Sequence, residues 1–424
     1  MATHSMVTAD PLHTEPGFFG RPGEVTPDLY MYGSFVNTYA MKTSAGLVVV
    51  DPGLTHTSSS IHDAVRAWSD VPLRTAVYTH GHADHAFGLR AFLEAGDRPD
   101  IVAQERCVDR FHRYGLMHGL NGRINQRQFA LPVPMFPNQF DWPTLLVRDR
   151  LVQRVGDVEL HLTAAKGETD DALWVWVPER RYLFVGDFII WQAPNCGNPQ
   201  KVQRYPEEWA DALETMAGCD AEWLFPGHGL AVQGRDAVRM VLTETARYLR
   251  VIVDEVRRRM NAGETAEEIF HAVEPDAELA TRSYLRATYD HPKFIVRNLL
   301  RLWGGWWNGN AAELLPATPS RQAEEVAALA GGVAAVIARG RTLLAAGDAT
   351  TAAHLAEWAT RAAPADREAQ ALKRDVYARR LDEAESLMAR GIFRAAMHDA
   401  QRALGEEPTN RVEAGGMALL QQPR

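Results

Sequence analysis

Six consecutive residues, from His80 to His85 with the sequence HGHADH, restrict the possible fold and chemistry of this chain more than any other feature. They follow the apolar run Leu73 to Tyr78, which predicts a buried strand that ends at Thr79. A strand end fixes the backbone, and the loop beyond it lets successive side chains converge on one point, as a metal centre requires. A histidine-rich surface turn is the alternative interpretation. Imidazole and carboxylate groups at this spacing instead favour zinc, with iron or manganese as other options.

Four possible ligands in one loop indicate two metal ions rather than one, so further ligands are expected at other strand ends. Three ligand-type residues follow predicted strands, each directly after a glycine: Glu168, Asp187 and His228. Taken singly, they fit a solvated turn, a helix cap and a loop histidine. Together with the upstream cluster they predict a binuclear metal site.

The composition of the chain changes near Gly234. Before it, β-branched runs alternate with helical periodicity, which predicts an α/β domain, and after it an Ala-, Arg-, Glu- and Leu-rich region predicts helices. The expected organisation is an N-terminal extension over 1–24, a catalytic domain over 25–234 and a helical domain over 235–424. The stretch 111–145 has no clean periodicity and is predicted to be a long functional loop.

A weak repeat with a period of 44 residues occurs in the helical region and pairs Gly347 with Gly391 and Pro364 with Pro408. Each copy predicts a helix that is entered by a glycine turn and stopped by a proline. Chance similarity in Ala-rich sequence is the alternative.

The net charge of −9 predicts no nucleic-acid or anionic-membrane partner, because phosphate binding requires a basic face. The first 21 residues lack an apolar run, and no later segment has the length of a spanning helix, so neither a signal peptide nor a membrane anchor is expected. The three cysteines are widely spaced and predict free thiols and a cytoplasmic location: Cys107, Cys196 and Cys219.

The order of these motifs resembles the metallo-β-lactamase superfamily of binuclear hydrolases, whose fold is an αββα sandwich. The strand pair that ends at Asp51-Pro52-Gly53 is similar to the opening of that fold, and the likeness covers about residues 25–234. The resemblance implies that one metal is held by His80, His82 and Glu168, the other by Asp84, His85 and His228, with Asp187 as the bridge.

Glu168 stands where most of the superfamily has histidine, and a glutamate there is similar to the alkyl sulfatase branch. Several downstream residues resemble the signature of the alkyl sulfatase dimerisation domain and imply a homodimer: Tyr289, Phe294, Arg297, Asn298 and the run LWGGWWNGN over 302–310. A plain hydrophobic core is the alternative for the tryptophans. Two differences leave a long-chain alkyl substrate open: the bridging position is Asp187 rather than glutamate, and a third, lipid-carrier-like domain is not expected.

Charge arithmetic favours a sulfate monoester. Two divalent ions bring four positive charges, of which three are offset by Asp84, Glu168 and Asp187 and the fourth by a bridging hydroxide. Such a near-neutral centre suits a monoanion better than a phosphate monoester dianion. The expected nucleophile is the metal-bridging hydroxide, with Asp84 and Asp187 as catalytic residues.

A small-molecule sulfate ester also needs cationic or amide donors. The candidates are Arg204, Lys201 and Asn195, with Asn198 nearby and with Asn125, Asn121 and Arg123 as weaker choices. For Arg204 a solvated surface charge is an equal alternative. Lactones, thioesters and phosphodiesters remain alternative substrates, and a partner-binding platform without catalysis is a further alternative.

Overall fold

The computed structural model describes residues 6–14 and 22–408. The chain divides into two compact units, one of residues 1–121 and 136–305 and one of residues 122–135 and 306–424. The division therefore falls at Gly305 rather than near the composition change at residue 234. Most of the predicted extension over 1–24 and the end of the predicted helical domain lie outside the described residues, so these domain boundaries remain a proposal.

The first unit contains two seven-stranded sheets. The strands are, in chain order, β1 (Val7–Thr8), β2 (Gly23–Thr26), β3 (Leu29–Gly33), β4 (Asn37–Thr43), β5 (Gly46–Val50), β6 (Leu73–Val77), β7 (Asp100–Gln104), β8 (Leu145–Val147), β9 (Arg150–Val155), β10 (Val158–Ala165), β11 (Ala172–Val177), β12 (Tyr182–Gly186), β13 (Trp223–Pro226) and β14 (Ala231–Gln233). One sheet has the order β1-β14-β13-β12-β11-β10-β9, and the other runs from β2 to β8 in sequence. Strands β5 to β8 are parallel, as are β12 and β13.

The helices of the first unit connect these strands or follow them. They are α1 (Ser58–Trp68), α2 (Ala83–Ala86), α3 (Arg90–Glu94), α4 (Arg106–Leu116), α5 (His118–Phe129), which continues into the second unit, α6 (Pro206–Ala217), α7 (Arg235–Asn261), α8 (Ala266–Ala272) and α9 (Pro292–Gly304). The remaining helices belong to the second unit and are α10 (Pro319–Leu329), α11 (Val333–Ala345), α12 (Ala349–Ala362), α13 (Arg367–Glu383) and α14 (Leu387–Leu404). Short 3-10 turns occur at Thr55–Thr57, Leu279–Thr281 and Ala311–Glu313.

Alternating side chains on each strand build the layers of the first unit. Along β5, Val48 and Val50 join the core between the two sheets, whereas Leu47 and Val49 pack against α1, α3 and α4. On the other sheet, Phe184 of β12 faces the inter-sheet core, and its neighbours face α6, α7 and α9. Side chains that alternate along a strand between two buried faces require a packed layer on each side of each sheet. The predicted αββα sandwich followed by helices is therefore confirmed.

The prediction of a long loop over 111–145 is wrong for its first half, because α4 and α5 cover residues 106–129. Helix α4 buries Cys107, Arg110, Phe111 and Tyr114, which have the spacing of one helical face. Because one residue of this buried face is an arginine, the sequence of α4 lacks the apolar periodicity that would predict a helix. The remainder, up to residue 144, is irregular.

The repeat interpretation holds for only one of its glycines. Gly347 precedes α12 and has a positive φ of 84°, as a glycine turn requires. Gly391 instead lies inside α14, where a Cβ would come within 2.8 Å of the carbonyl oxygen of Arg127. This second glycine allows a close backbone approach within the second unit rather than a turn.

Among residues 6–14 and 22–408, no single helix is both long and apolar enough to span a bilayer. Only α10 and α11 together have the length and composition of a span, and they are bent by 86° relative to each other.

Candidate metal centre

The predicted ligand residues follow four strand ends of the first unit. His80 and His82 come after β6, Glu168 after β10, Asp187 after β12 and His228 after β13. Because β12 and β13 are parallel, their carboxyl ends, and hence Asp187 and His228, reach the same edge.

The glycines that precede these residues are required by close packing. A Cβ on Gly186 would collide with the Thr79 side chain, and one on Gly227 would collide with the carboxylate of Asp187. Gly186 also has a positive φ of 50°. The recurring glycine-ligand pattern in the sequence therefore reflects the crowding of the strand ends around one point.

One group of possible ligand atoms is formed by His80, His82, Glu168 and Asp187, whose atoms lie within 4.8 Å of one another. The Nε2 atom of His80 is 2.8 Å from Nδ1 of His82, which is 3.8 Å from Oε1 of Glu168. Oδ2 of Asp187 is 3.7 Å from Nε2 of His80.

A second group is formed by Asp84, His85 and His228, again within 4.8 Å. The Nε2 atoms of both histidines lie 3.6 Å from Oδ2 of Asp84. They also lie 3.2 and 3.3 Å from Oδ1 of Asp187. The two carboxylate oxygens of Asp187 thus face different groups, as a bridging residue would.

Two buried atoms in this cluster have no hydrogen-bond partner among the described residues: Nε2 of His85 and Oδ1 of Asp187. Orphaned buried polar atoms are rare in proteins, and here they face each other across 3.2 Å. Nitrogen and oxygen donors in groups of three or four are the ligand sets of zinc and of other divalent metals. The residues present therefore fit divalent cations.

Supporting contacts orient the histidines of the second group. Nδ1 of His85 is 2.8 Å from Oδ2 of Asp51, and Nδ1 of His228 is 2.5 Å from the carbonyl oxygen of Phe35. When Nδ1 donates to these acceptors, Nε2 carries the lone pair that a metal requires.

Burial and charge shift the pKa values of the ligand-type side chains in different directions, and the carboxylates of Asp187, Asp51 and Asp84 raise those of His85 and His228. Burial holds the pKa of His80 and of His82 well below its usual value, so both imidazoles are neutral. Burial alone would raise the pKa of Asp187, but His85 and His228 hold it well below the usual range. Burial raises the pKa of Glu168 well above its usual value, and the nearby Arg204 charge opposes that rise.

Two of the predicted substrate-binding residues contact Glu168. Nδ2 of Asn195 donates to Oε1 of Glu168 at 2.5 Å, and Nη1 of Arg204 lies 2.9 Å from the same oxygen. Nη1 of Arg204 also donates to the Glu168 carbonyl. Arg204 is 2% exposed, which excludes the interpretation as a solvated surface charge.

The remaining candidates lie in the loop that precedes α6 and on α5. Lys201 is half-buried, and the charges of Glu168 and Asp84 act on its ammonium group. Asn198 is buried and accepts a hydrogen bond from the Gln200 backbone at 3.0 Å. The three weaker candidates lie on α5, Asn121 in the first compact unit and Arg123 and Asn125 in the second. The assignment of Asn125 to substrate binding stays a prediction.

Several supporting residues were missed by the sequence analysis. Asp51 follows the apolar strand β5, so the strand-end rule that identified the ligands would have identified it too. Asp171 is fully buried and accepts a hydrogen bond from the Gly81 backbone at 3.0 Å. Its other oxygen is 2.8 Å from Nε of Arg110, a residue that no sequence pattern marked.

Comparison with known proteins connects this geometry to a family. The metallo-beta-lactamase superfamily model matches residues 31–228, and the alkyl sulfatase dimerisation model matches residues 265–402. The domain over residues 31–228 is therefore of the metallo-beta-lactamase superfamily. The predicted likeness to its alkyl sulfatase branch is confirmed.

The relatives of this metallo-beta-lactamase-fold protein include a linear primary-alkylsulfatase of Pseudomonas sp., 29% identical over 79% of this chain and 67% of the relative. An alkyl/aryl-sulfatase of Saccharomyces cerevisiae is 22% identical over 72% of this chain and 51% of the relative. The chain thus spans about half to two thirds of the length of these two relatives. The solved structure of a stereoselective inverting sec-alkylsulfatase from Pseudomonas sp. shares the fold, with a TM-score of 0.80 and 24% identity over 94% of this chain and 68% of that one.

Proposed function

We propose that this protein hydrolyses sulfate monoesters at a centre of two zinc ions, with manganese or iron as alternatives. The proposal is carried by one observation, the convergence of seven ligand-type side chains into two groups around the carboxylate of Asp187. Relatives named as alkyl sulfatases support a sulfate ester as the substrate.

The side chains divide the proposed work. Bound divalent cations would supply a hydroxide nucleophile at neutral pH and would accept charge from the leaving group. Asp187 would serve both ligand groups with one oxygen each. Asp84, the most exposed of the three carboxylates at 20% against 9% for Asp187 and 4% for Glu168, would orient this hydroxide.

Cationic groups beside the centre would bind the sulfate. The ammonium group of Lys201 would attract it by charge. The Nε atom of Arg204 is buried without a hydrogen-bond partner among the described residues, which leaves a donor for a sulfate oxygen. Asn195 would act by fixing Glu168, to which it already donates.

A homodimer formed through the helical region is also proposed, on the basis of the matched alkyl sulfatase dimerisation model. The cytoplasmic location stays a prediction.

The test measures metal content by mass spectrometry on full-length protein purified without chelator, together with sulfate release from a short alkyl sulfate. About two zinc ions per chain, with sulfate release lost in Asp84→Ala, would support the proposal. His161→Ala is a matched control, because this histidine pairs with Glu159 on the surface of β10 and should not affect activity. Two metals without sulfate release would redirect the search to lactones, thioesters and phosphodiesters. A metal-loaded protein inert on all of these would favour a partner-binding platform.

A further inference from the structure

Helix α9 lies within the stretch matched by the dimerisation model, yet one of its side chains reaches the metal-binding part of the first unit. Asn298 is 5% exposed and contacts the backbone of Arg204. Its Oδ1 accepts a hydrogen bond from the Arg204 N–H at 3.2 Å, and its Nδ2 donates to the Arg204 carbonyl at 2.9 Å. One amide therefore satisfies both backbone polar groups of a single residue, as a neighbouring strand would.

Further contacts hold the segment of residues 203–205 on both sides. On the α9 side, Nε2 of Gln203 donates to Oδ1 of Asn298 at 2.9 Å, and Nε of Arg301 donates to Oε1 of Gln203 at 3.0 Å. On the opposite side, the backbone of Tyr205 donates to the Gly167 carbonyl at 3.0 Å. The segment thus lies between α9 and the loop that carries Glu168.

The side chain of Arg204 completes this connection. Its guanidinium lies 2.9 Å from Oε1 of Glu168, and the two side chains are 2% and 4% exposed. A buried ion pair is favourable only when its geometry is good, and an arginine side chain has several rotatable bonds. Fixing the Arg204 backbone from both directions removes much of that freedom and directs the charge to Glu168.

We propose that Asn298 is a positioning residue for the metal position formed by His80, His82 and Glu168. It acts by holding Arg204 where the guanidinium, 2.9 Å from Oε1 of Glu168, keeps that carboxylate oriented toward His82. The inference rests on the metal centre of the proposed function. It gives the region matched by the dimerisation model a second role, in which α9 supports the metal centre of its own chain.

The test follows zinc release from the full-length, zinc-loaded protein into an excess of the chromophoric chelator 4-(2-pyridylazo)resorcinol. Wild-type protein should release its two ions in two phases, and Glu168→Gln identifies the phase that belongs to the Glu168 position. In Asn298→Ala this phase should accelerate several-fold, by less than the about 10- to 100-fold effect of losing a residue that contacts a ligand directly, while the other phase stays unchanged. Asn298→Asp should give an intermediate rate, because it keeps the acceptor for the Arg204 N–H but cannot donate to the carbonyl.

Arg297→Ala is the matched control. It lies next to Asn298 on α9, but its guanidinium pairs with Glu267 at 3.0 Å. Zinc release should be unchanged in this variant. If Asn298→Ala does not fold, the same selective acceleration in the nearly isosteric Asn298→Asp decides the question.

Two results would overturn the inference: unchanged release in the Asn298 variants, or equal acceleration of both phases with a lowered melting temperature, which indicates a merely structural role. Wild-type protein that holds no zinc would overturn the metal centre and this inference together. Wild-type protein with two release phases but no sulfate release would contradict only the proposed activity, and Asn298 would still be judged by its own phase.

Discussion

Nδ1 of His85 lies 2.8 Å from Oδ2 of Asp51, and both side chains are buried. Asp51 also accepts hydrogen bonds from the backbone and hydroxyl of Thr79, each at 2.8 Å. These bonds fix the carboxylate, and the carboxylate fixes the imidazole with Nε2 toward Asp84 and Asp187. Asp51 is thus a support for a ligand rather than a ligand itself.

Replacing this support should weaken metal binding without removing a ligand. In Asp51→Asn the amide no longer provides a charged acceptor for His85, and we expect zinc affinity to fall about 10- to 100-fold. A zinc titration against a competing chelator measures the change. Asp63→Asn removes a surface aspartate that lies 3.0 Å from His62, and this control should bind zinc as the wild type does. Equal affinities for Asp51→Asn and the wild type would contradict the assignment.

The positions that sequence patterns could identify are those set by strand ends. His80, Asp187 and His228 each follow an apolar run, and the backbone geometry of a strand end is local information. The same holds for the sheets, because alternating and continuous apolar runs identify strands directly. These features need no knowledge of which distant segments meet.

The supports of the centre depend on tertiary contacts instead. Asn298 and Arg204 are 94 residues apart in sequence, and nothing local to either residue indicates that they meet. Arg110 was hidden because a charged residue on the buried face of α4 contradicts the pattern of a buried helix. Its burial is explained by the carboxylates of Asp170 and Asp171, which contact its guanidinium at 2.6 and 2.8 Å.

Removing the partner of the buried Glu168 carboxylate should destabilise the metal-free protein. Arg204→Gln leaves this carboxylate without its cation, and losing one partner of a buried ion pair costs about 3–5 kcal/mol. Urea unfolding with and without zinc measures the effect. We expect the difference in free energy of unfolding between variant and wild type to be smaller with zinc than without it. The reason is that a bound cation compensates the charge of the Glu168 carboxylate, as Arg204 does.

Arg257→Gln provides the comparison for this experiment. Arg257 pairs with Glu207, and these side chains are 42% and 37% exposed, so the expected cost is below about 1 kcal/mol. Similar free energies of unfolding for the two arginine variants would contradict the importance of the Arg204–Glu168 pair.

Lys201 gives the proposed activity a specific dependence on pH. Burial, together with the charge of Arg204, lowers the pKa of its ammonium group to about 8. The group is therefore cationic below pH 8 and neutral above it, so sulfate binding should weaken as pH rises through this value. We expect KM for a short alkyl sulfate to increase between pH 7 and 9. Lys201→Arg keeps the charge across this range and should remove the increase. An identical rise of KM in this variant would exclude Lys201 as its cause.

Large apolar side chains remain exposed at the start of the second unit, on the segment that follows α9. Trp306 is 74% exposed and Leu315 is 91% exposed, and both lie within the residues matched by the dimerisation model. Because exposed apolar patches mark interaction surfaces, we expect the protein to be a dimer. The double variant Trp306→Asp/Leu315→Asp should be a monomer in sedimentation velocity.

Leu116→Asp is the control, because this leucine is 85% exposed but lies outside the matched stretch, and its variant should stay dimeric. A wild-type monomer, or a double variant that remains dimeric, would show that this segment does not form the interface. Since neither Trp306 nor Leu315 is buried, the double variant should still show a cooperative unfolding transition, and a monomer with such a transition separates lost association from lost folding.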